Sequence, residues 1–148
     1  MKKTGLLICL VAGLIACQSQ DKKIPAGALT QEQKDKAAAD SANFTTIQWI
    51  DSSYHDFGKV KEGEVVEVNY RFKNSGNKPL VIQDVKPGCG CTIAEKLDKP
   101  FAPGEEGVVR AKFNSNGHPG TNEKYITVLA NTNPDKTWIL HFKVEVTK

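Results

Sequence analysis

Residues 138–146 read Trp-Ile-Leu-His-Phe-Lys-Val-Glu-Val. Trp138, Leu140, Phe142, Val144 and Val146 alternate with Ile139, His141, Lys143 and Glu145. Side chains along a strand point to opposite faces in turn, so this run is a half-buried strand with one apolar face. The same period of two recurs upstream. Val66, Val68, Tyr70 and Phe72 alternate with Glu67, Asn69, Arg71 and Lys73. Val109, Ala111 and Phe113 alternate with Arg110, Lys112 and Asn114, and Ile126, Val128 and Ala130 share a face. Leu80 and Ile82 give a shorter strand, and Ile47 and Trp49 supply the first, within residues 44–50.

Turn chemistry separates these runs. Glu62-Gly63, Ser75-Gly76-Asn77, Ala102-Pro103-Gly104 and Asn116-Gly117 each interrupt the alternation. Pro103 followed by Gly104 suits a type II turn, whose third residue needs a positive φ. No useful helical period appears after Phe44. About seven short strands over residues 44–148 predict an all-β domain, an immunoglobulin-like antiparallel β-sandwich. A small Greek-key barrel is the alternative. The Cys…Trp…Cys spacing of antibody domains is absent.

The N-terminus reads as an address. Lys2 and Lys3 precede residues 5–16, twelve residues without a charge. A bilayer-spanning helix takes about twenty residues, so this run fits the apolar region of a secretory signal instead. It ends Leu14-Ile15-Ala16-Cys17, which resembles the lipobox of bacterial lipoproteins. That resemblance implies a signal peptide over residues 1–16, cleavage before Cys17 and acylation of Cys17. Multiple acyl chains, at about 0.8 kcal/mol per buried methylene, anchor stably. Cys9 leaves with the signal. Gln18, rather than Asp, after the lipidated Cys favours the outer membrane by analogy with enterobacterial sorting, facing the periplasm.

Residues 17–43 then read as a lipidated N-terminus and polar linker, too poor in apolar residues to offset its ordering entropy. Thr30 with Gln33 forms a capping box for a transient helix, and Glu32 with Lys36 is a favourable pair four apart. No apolar stripe is present to dock it, so a spacer is expected. Asp40-Ser41-Ala42 resembles a short O-glycosylation motif of Bacteroidetes envelope proteins, with Ser41 as acceptor. Asn43-Phe44-Thr45 matches an N-glycosylation acceptor, which a bacterial lipoprotein seldom meets in use.

Composition excludes several classes. With 148 residues there is room for about one domain. The 39% hydrophobic and 25% charged content argues against a multi-span membrane protein or a wholly disordered chain. The 20 basic and 17 acidic residues give +3; without Lys2 and Lys3, 18 basic residues face 17 acidic ones, a charge of +1. Such a domain lacks the electrostatic footprint for nucleic acid.

A longer pattern joins these pieces. His55-Asp56-Phe57-Gly58 is followed by Val60, Glu62-Gly63 and Phe72-Lys73-Asn74-Ser75-Gly76. Then come Pro79-Leu80-Val81-Ile82, Cys89-Gly90-Cys91-Thr92, Ala102-Pro103-Gly104 and Phe113-Asn114-Ser115. In order and spacing this resembles the bacterial domain-of-unknown-function family number fifteen seventy-three, from about Trp49 to Val146. The resemblance implies an immunoglobulin-like envelope domain, more distantly similar to Hydin-type and pilus-chaperone-type sandwiches. It is frequent in Bacteroidetes as single-domain lipoproteins, and it implies no reaction, cofactor or substrate.

Cys89-Gly90-Cys91 is the one constellation with chemistry in it. On an extended strand the two side chains would share a face, too far apart and too parallel for a good disulfide. In a turn or bulge they could bond, in a small ring that stabilises the fold little and is easily reduced. Three readings stand. The sulfurs are structural, buried at a bulge or bridged locally. They bind a soft metal such as Cu(I). Or they exchange thiols and disulfides, although the C-x-x-C spacing and helix of thioredoxins are absent. The structural reading is taken, with the pair shaping the loop after Val85.

Other candidates read blandly. His55-Asp56 superficially matches phosphohydrolase metal ligands, but Asp56 before Phe57-Gly58 suits a turn. His118 beside Pro119 is a loop residue, and His141 lies on a polar face. Tyr54, Trp49 and Tyr125 could form a ligand-stacking patch, though aromatics on sandwich strands more often pack. No nucleophile elbow, phosphate loop or metalloprotease helix occurs. The expectation is therefore a non-enzymatic, lipid-anchored envelope module without a cofactor. Its partners are the membrane, through its lipid, and another envelope protein or a glycan. Redox or copper work at Cys89 and Cys91 is the alternative.

Overall fold

A computed structural model of the protein describes residues 24–148. The expected signal peptide and the lipidation site Cys17 lie outside the described residues. The alternating runs form eight strands: β1 (Ile47–Trp49), β2 (Tyr54–Lys61), β3 (Val65–Asn74), β4 (Ile82–Pro87), β5 (Thr92–Ala94), β6 (Glu106–Asn114), β7 (Gly120–Ala130) and β8 (Thr137–Thr147). They build two four-stranded sheets, in the orders β1-β3-β6-β5 and β2-β8-β7-β4. The expected sandwich is present.

The period of two fills the space between the sheets. Val68, Tyr70, Phe72, Val109 and Phe113 come from the first sheet, and Ile126, Val128, Leu140, Phe142 and Val144 from the second, all fully buried. Phe113 and Phe142 meet edge to face across the core at 5.9 Å, and Trp49 sits 5.7 Å from Phe72 and 6.2 Å from Trp138. The Tyr70 hydroxyl crosses the core to donate to the His141 carbonyl at 2.6 Å. Burial pushes that phenol well above its ordinary pKa. Gly104 has φ 82°, as the type II turn requires, and the Glu105 N–H closes that turn on the Ala102 carbonyl at 2.9 Å.

One pairing departs from the antiparallel expectation: β2 runs parallel to β8. Residues 50–53 switch sheets instead of turning back beside β1, so β2 arrives alongside β8 in the same direction. Asp51 fixes this crossing. Its carboxylate accepts from the Arg71 guanidinium at 2.6 Å and from the Arg71 N–H at 2.8 Å. Those bonds from Arg71 hold the Asp51 carboxyl down to about 2, against an ordinary 3.8.

The spacer expectation for residues 17–43 needs correction from Leu29 onwards. The capping box forms, and α1 (Gln31–Ala39) packs beside β4 instead of standing free. Leu29 and Ala37 are buried against Val81, with Ile24 alongside. Lys34 is buried too, its ammonium 2.6 Å from the Asp98 carboxylate. The Leu29 N–H donates to the Asp98 carbonyl at 2.7 Å. Ala37, Leu29 and the stem of Lys34 make the docking face, so no conventional apolar stripe was needed.

Two buried carboxamides complete this end of the sandwich. Asn74 Oδ1 accepts from the Thr45 hydroxyl and the Gly76 N–H, while its Nδ2 donates to the Lys78 and Phe101 carbonyls. Asn131 Oδ1 accepts from the Val81 N–H at 2.7 Å, and its Nδ2 donates to the Asn43 and Pro79 carbonyls.

Starting the chain at residue 44 removes the Leu29 and Ala37 contacts and one Asn131 acceptor. It should lower unfolding free energy by about 2–4 kcal/mol, read as a lower denaturant midpoint. An unchanged midpoint would show that the segment contributes nothing. For Asp51 the folded pKa lies below the unfolded one, so its contribution is fully present above the unfolded value. It is lost as pH falls through the folded value. The stability gap between wild type and Asp51→Asn should be widest above about pH 5 and close towards pH 2. Chemical denaturation across that range checks it.

Candidate functional site

The chain between β4 and β5 is a sheet-to-sheet corner. Each strand is an edge of its own sheet, and residues 88–91 carry the backbone from one to the other. Three backbone bonds clamp the corner. Gly88 N–H donates to the Tyr125 carbonyl at 2.9 Å, Asn114 N–H to the Cys91 carbonyl at 2.9 Å and Thr92 N–H to the Cys89 carbonyl at 3.3 Å. Cys89 and Cys91 are bonded to each other there, with Cα atoms 5.3 Å apart. This is the turn geometry in which the sequence left room for a bridge.

Both cysteines are half-buried, and Cys91 packs against the core. Thr92 is buried, and its hydroxyl lies 3.6 Å from Cys89 Sγ. A bridged sulfur carries no proton, so the hydroxyl is the donor. Soft-metal binding would need the reduced form, because the ligand is a thiolate. Among the described residues no group of three His, Cys, Asp or Glu is placed to hold a metal ion.

The two glycines of the corner act differently from each other. Neither Gly88 nor Gly90 has a positive φ. Gly88 is required by a close approach: a Cβ there would stand 2.5 Å from the Tyr125 ring. At Gly90 a Cβ would meet no atom within 4 Å.

Beside the corner lies a groove of about 360 Å³, lined by Val65, Gly90, Cys91, Ile93, Lys112 and His118, with Asn114 and Asn116 at its polar end. Val65 is 56% exposed and Ile93 74% exposed, so the groove carries apolar surface to solvent. The sequence held a signal for Val65. It is an apolar residue in phase with Glu67 and Asn69, on the polar side of its strand.

The aromatic patch survives in part. Trp49 faces the core, between Phe72 and Trp138, and does not join it. Tyr54 and Tyr125 flank His141 on adjacent strands, in register with it. Tyr125 lies 6.4 Å from the His141 ring, with the hydroxyl end of its ring close over Gly88. With Ile139 they form an exposed face on the second sheet. His55 is stacked 4.6 Å from the Tyr70 ring, and Asp56 accepts the Gly58 N–H at 2.9 Å; the pair lies within β2, at a bulge between Asp56 and Lys59, and not in the expected turn. His118 lies 5.8 Å from the Phe113 ring. Ser41 is exposed and opens a short 3-10 turn, Ser41–Asn43, capped by the Asp40 carboxylate.

Comparison with known proteins bears on this geometry. A family model described as "Protein of unknown function (DUF1573)" matches residues 47–146. A protein of unknown function from Porphyromonas gingivalis W83 is similar in structure, with TM-score 0.60 and 18% identity. The match covers 72% of this chain and 49% of that one, so the chain spans about half of its relative. The ASH/PapD-like domain 7 of human CEP192 is similar at TM-score 0.55 and 12% identity, covering 72% of this chain and 88% of that one. At such identities the likeness shows the fold, a PapD-like sandwich. Comparison with curated proteins gave no match.

The bridge spans only one intervening residue, so it removes little freedom from the unfolded chain. Replacing both cysteines by Ser should cost no more than about 2 kcal/mol. Thermal unfolding of wild type and double variant measures this, and a collapse of the fold would mark the bridge as a structural requirement.

Proposed function

The chain belongs to the DUF1573 family of proteins of unknown function, and on that premise we propose that it is a non-catalytic lipoprotein of the cell envelope. Cys17 carries the lipid and holds the protein on the outer membrane, facing the periplasm. The sandwich presents a binding surface to another envelope protein or a glycan. The observation that carries this reading is the exposed face of the second sheet. Tyr54 and Tyr125 are each 47% exposed, Ile139 is 52% exposed, and all three lie around His141. Apolar surface grouped in this way on a rigid sheet is a recognition feature. Gly88 supports it, because only a glycine lets the Tyr125 ring lie across the neighbouring strand.

The anchor and the face are tested together. Metabolic labelling with a fatty acid should mark the wild type and leave Cys17→Ala unlabelled; equal labelling removes the anchor. Capture of envelope components by the wild type should fall about tenfold for Tyr54→Ala with Tyr125→Ala. Protease treatment of the extract then separates a protein partner from a glycan. Equal capture by wild type and double variant would overturn the assigned face.

A further inference from the structure

We propose that the Cys89–Cys91 bridge is a thiol–disulfide exchange site, which oxidises paired cysteines of an extended polypeptide lying in the groove between Val65 and Ile93. This goes beyond the binding role and takes from it only the envelope setting. Its test uses purified protein and stands apart from the test of the aromatic face.

The bridge is poorly suited to be a staple. It closes a single intervening residue, and three backbone hydrogen bonds already clamp the corner. Access is the next consideration. Gly90 has no positive φ, so its backbone places no demand for glycine, and a side chain there would project into open space. The missing side chain leaves the bridge approachable from the groove, which Gly90 and Cys91 both line.

The surroundings suit the chemistry. Lys112 lines the same groove with its ammonium 3.1 Å from the Glu67 carboxylate, and His118 there supplies a base for the proton of an incoming thiol. On the far side of the bridge the Thr92 hydroxyl already points at Cys89 Sγ. That contact is weak to a bridged sulfur and strengthens when the sulfur becomes an anion. Cys89 is therefore the leaving group and Cys91 the sulfur attacked.

A partner thiolate bonds to Cys91 Sγ. The Cys89–Cys91 bond breaks, and its electron pair leaves on Cys89 Sγ, which then takes up a proton. The partner's second thiolate attacks its own sulfur in the mixed disulfide and expels Cys91 as a thiolate, which is protonated in turn. The dithiol loses two electrons and two protons and becomes a disulfide, while the Cys pair gains both. Each oxidised chain completes one such round.

The groove decides the substrate. Val65 and Ile93 are far more exposed than the apolar residues of their own strands that face the core. Among the described residues β5 is the last strand of the first sheet, so, apart from the Thr92 N–H that the Cys89 carbonyl holds, its outer edge can take main-chain bonds from an extended segment. A polypeptide uses both features, whereas a small dithiol uses neither.

The oxidised full chain is mixed with a reduced, unstructured peptide carrying two cysteines flanked by Val and Ile, or with dithiothreitol at equal thiolate concentration. One equivalent of peptide should be oxidised, about tenfold faster than dithiothreitol. Acid-quenched mixtures should carry the peptide on Cys91. Val65→Ser with Ile93→Ser, both on exposed positions, should bring the peptide rate down to that of dithiothreitol. Thr92→Val should slow both reactions about tenfold, and Thr92→Ser should restore them. Failure to oxidise the peptide overturns the proposal. So do equal rates for both thiols in the wild type, or a peptide trapped on Cys89.

Discussion

The fold depends on two buried carboxamides that satisfy themselves at one end of the sandwich. Asn74 uses both acceptor positions of its oxygen and both of its N–H donors, and Asn131 uses one acceptor position and both donors. Together they bind segments around residues 43, 45, 76, 78, 81 and 101, most of which belong to no strand. A hydrophobic core cannot fix such irregular backbone, because its contacts are not directional. Carboxamides can, and an unmade bond in this setting costs about 1–3 kcal/mol each. The two sheets therefore meet at a defined end, and the corner with Cys89 and Cys91 follows from β4, whose start is held there through Val81.

Most of the sandwich was legible in the sequence because period-two alternation is a local signal. Phe113 and Phe142 point inward for the same reason that Lys112 and Lys143 do not. The parallel β2–β8 pairing was not legible. It follows from a sheet switch at residues 50–53, and alternation says which face a residue takes, not which neighbour it meets. The docking of α1 was hidden for a different reason. Its contact rests on Leu29, Ala37 and the stem of Lys34, which make no apolar stripe at helical spacing.

The site was legible in its chemistry and illegible in its surroundings. Cys89-Gly90-Cys91 declared two sulfurs and a turn, but the bridge, the Thr92 hydroxyl and the groove come from elements far apart in the chain. Val65 and Ile93 line one groove only because β3 and β5 both pair with β6. The role of Gly88 was hidden for the same reason. Its need for a bare Cα comes from Tyr125, thirty-seven positions later, and not from its own backbone.

The docked helix has a mechanical consequence. A pull applied to the chain at residue 24 does not reach β1 directly. It loads the contacts of Leu29 and Lys34 with Asp98 first, and then the bond from Asn131 to the Asn43 carbonyl. These yield one after another, as a strap peels from a surface, while the long ladders of β3 with β6 and β7 with β8 stay unloaded. The segment thus takes a load applied at residue 24 before the sandwich does.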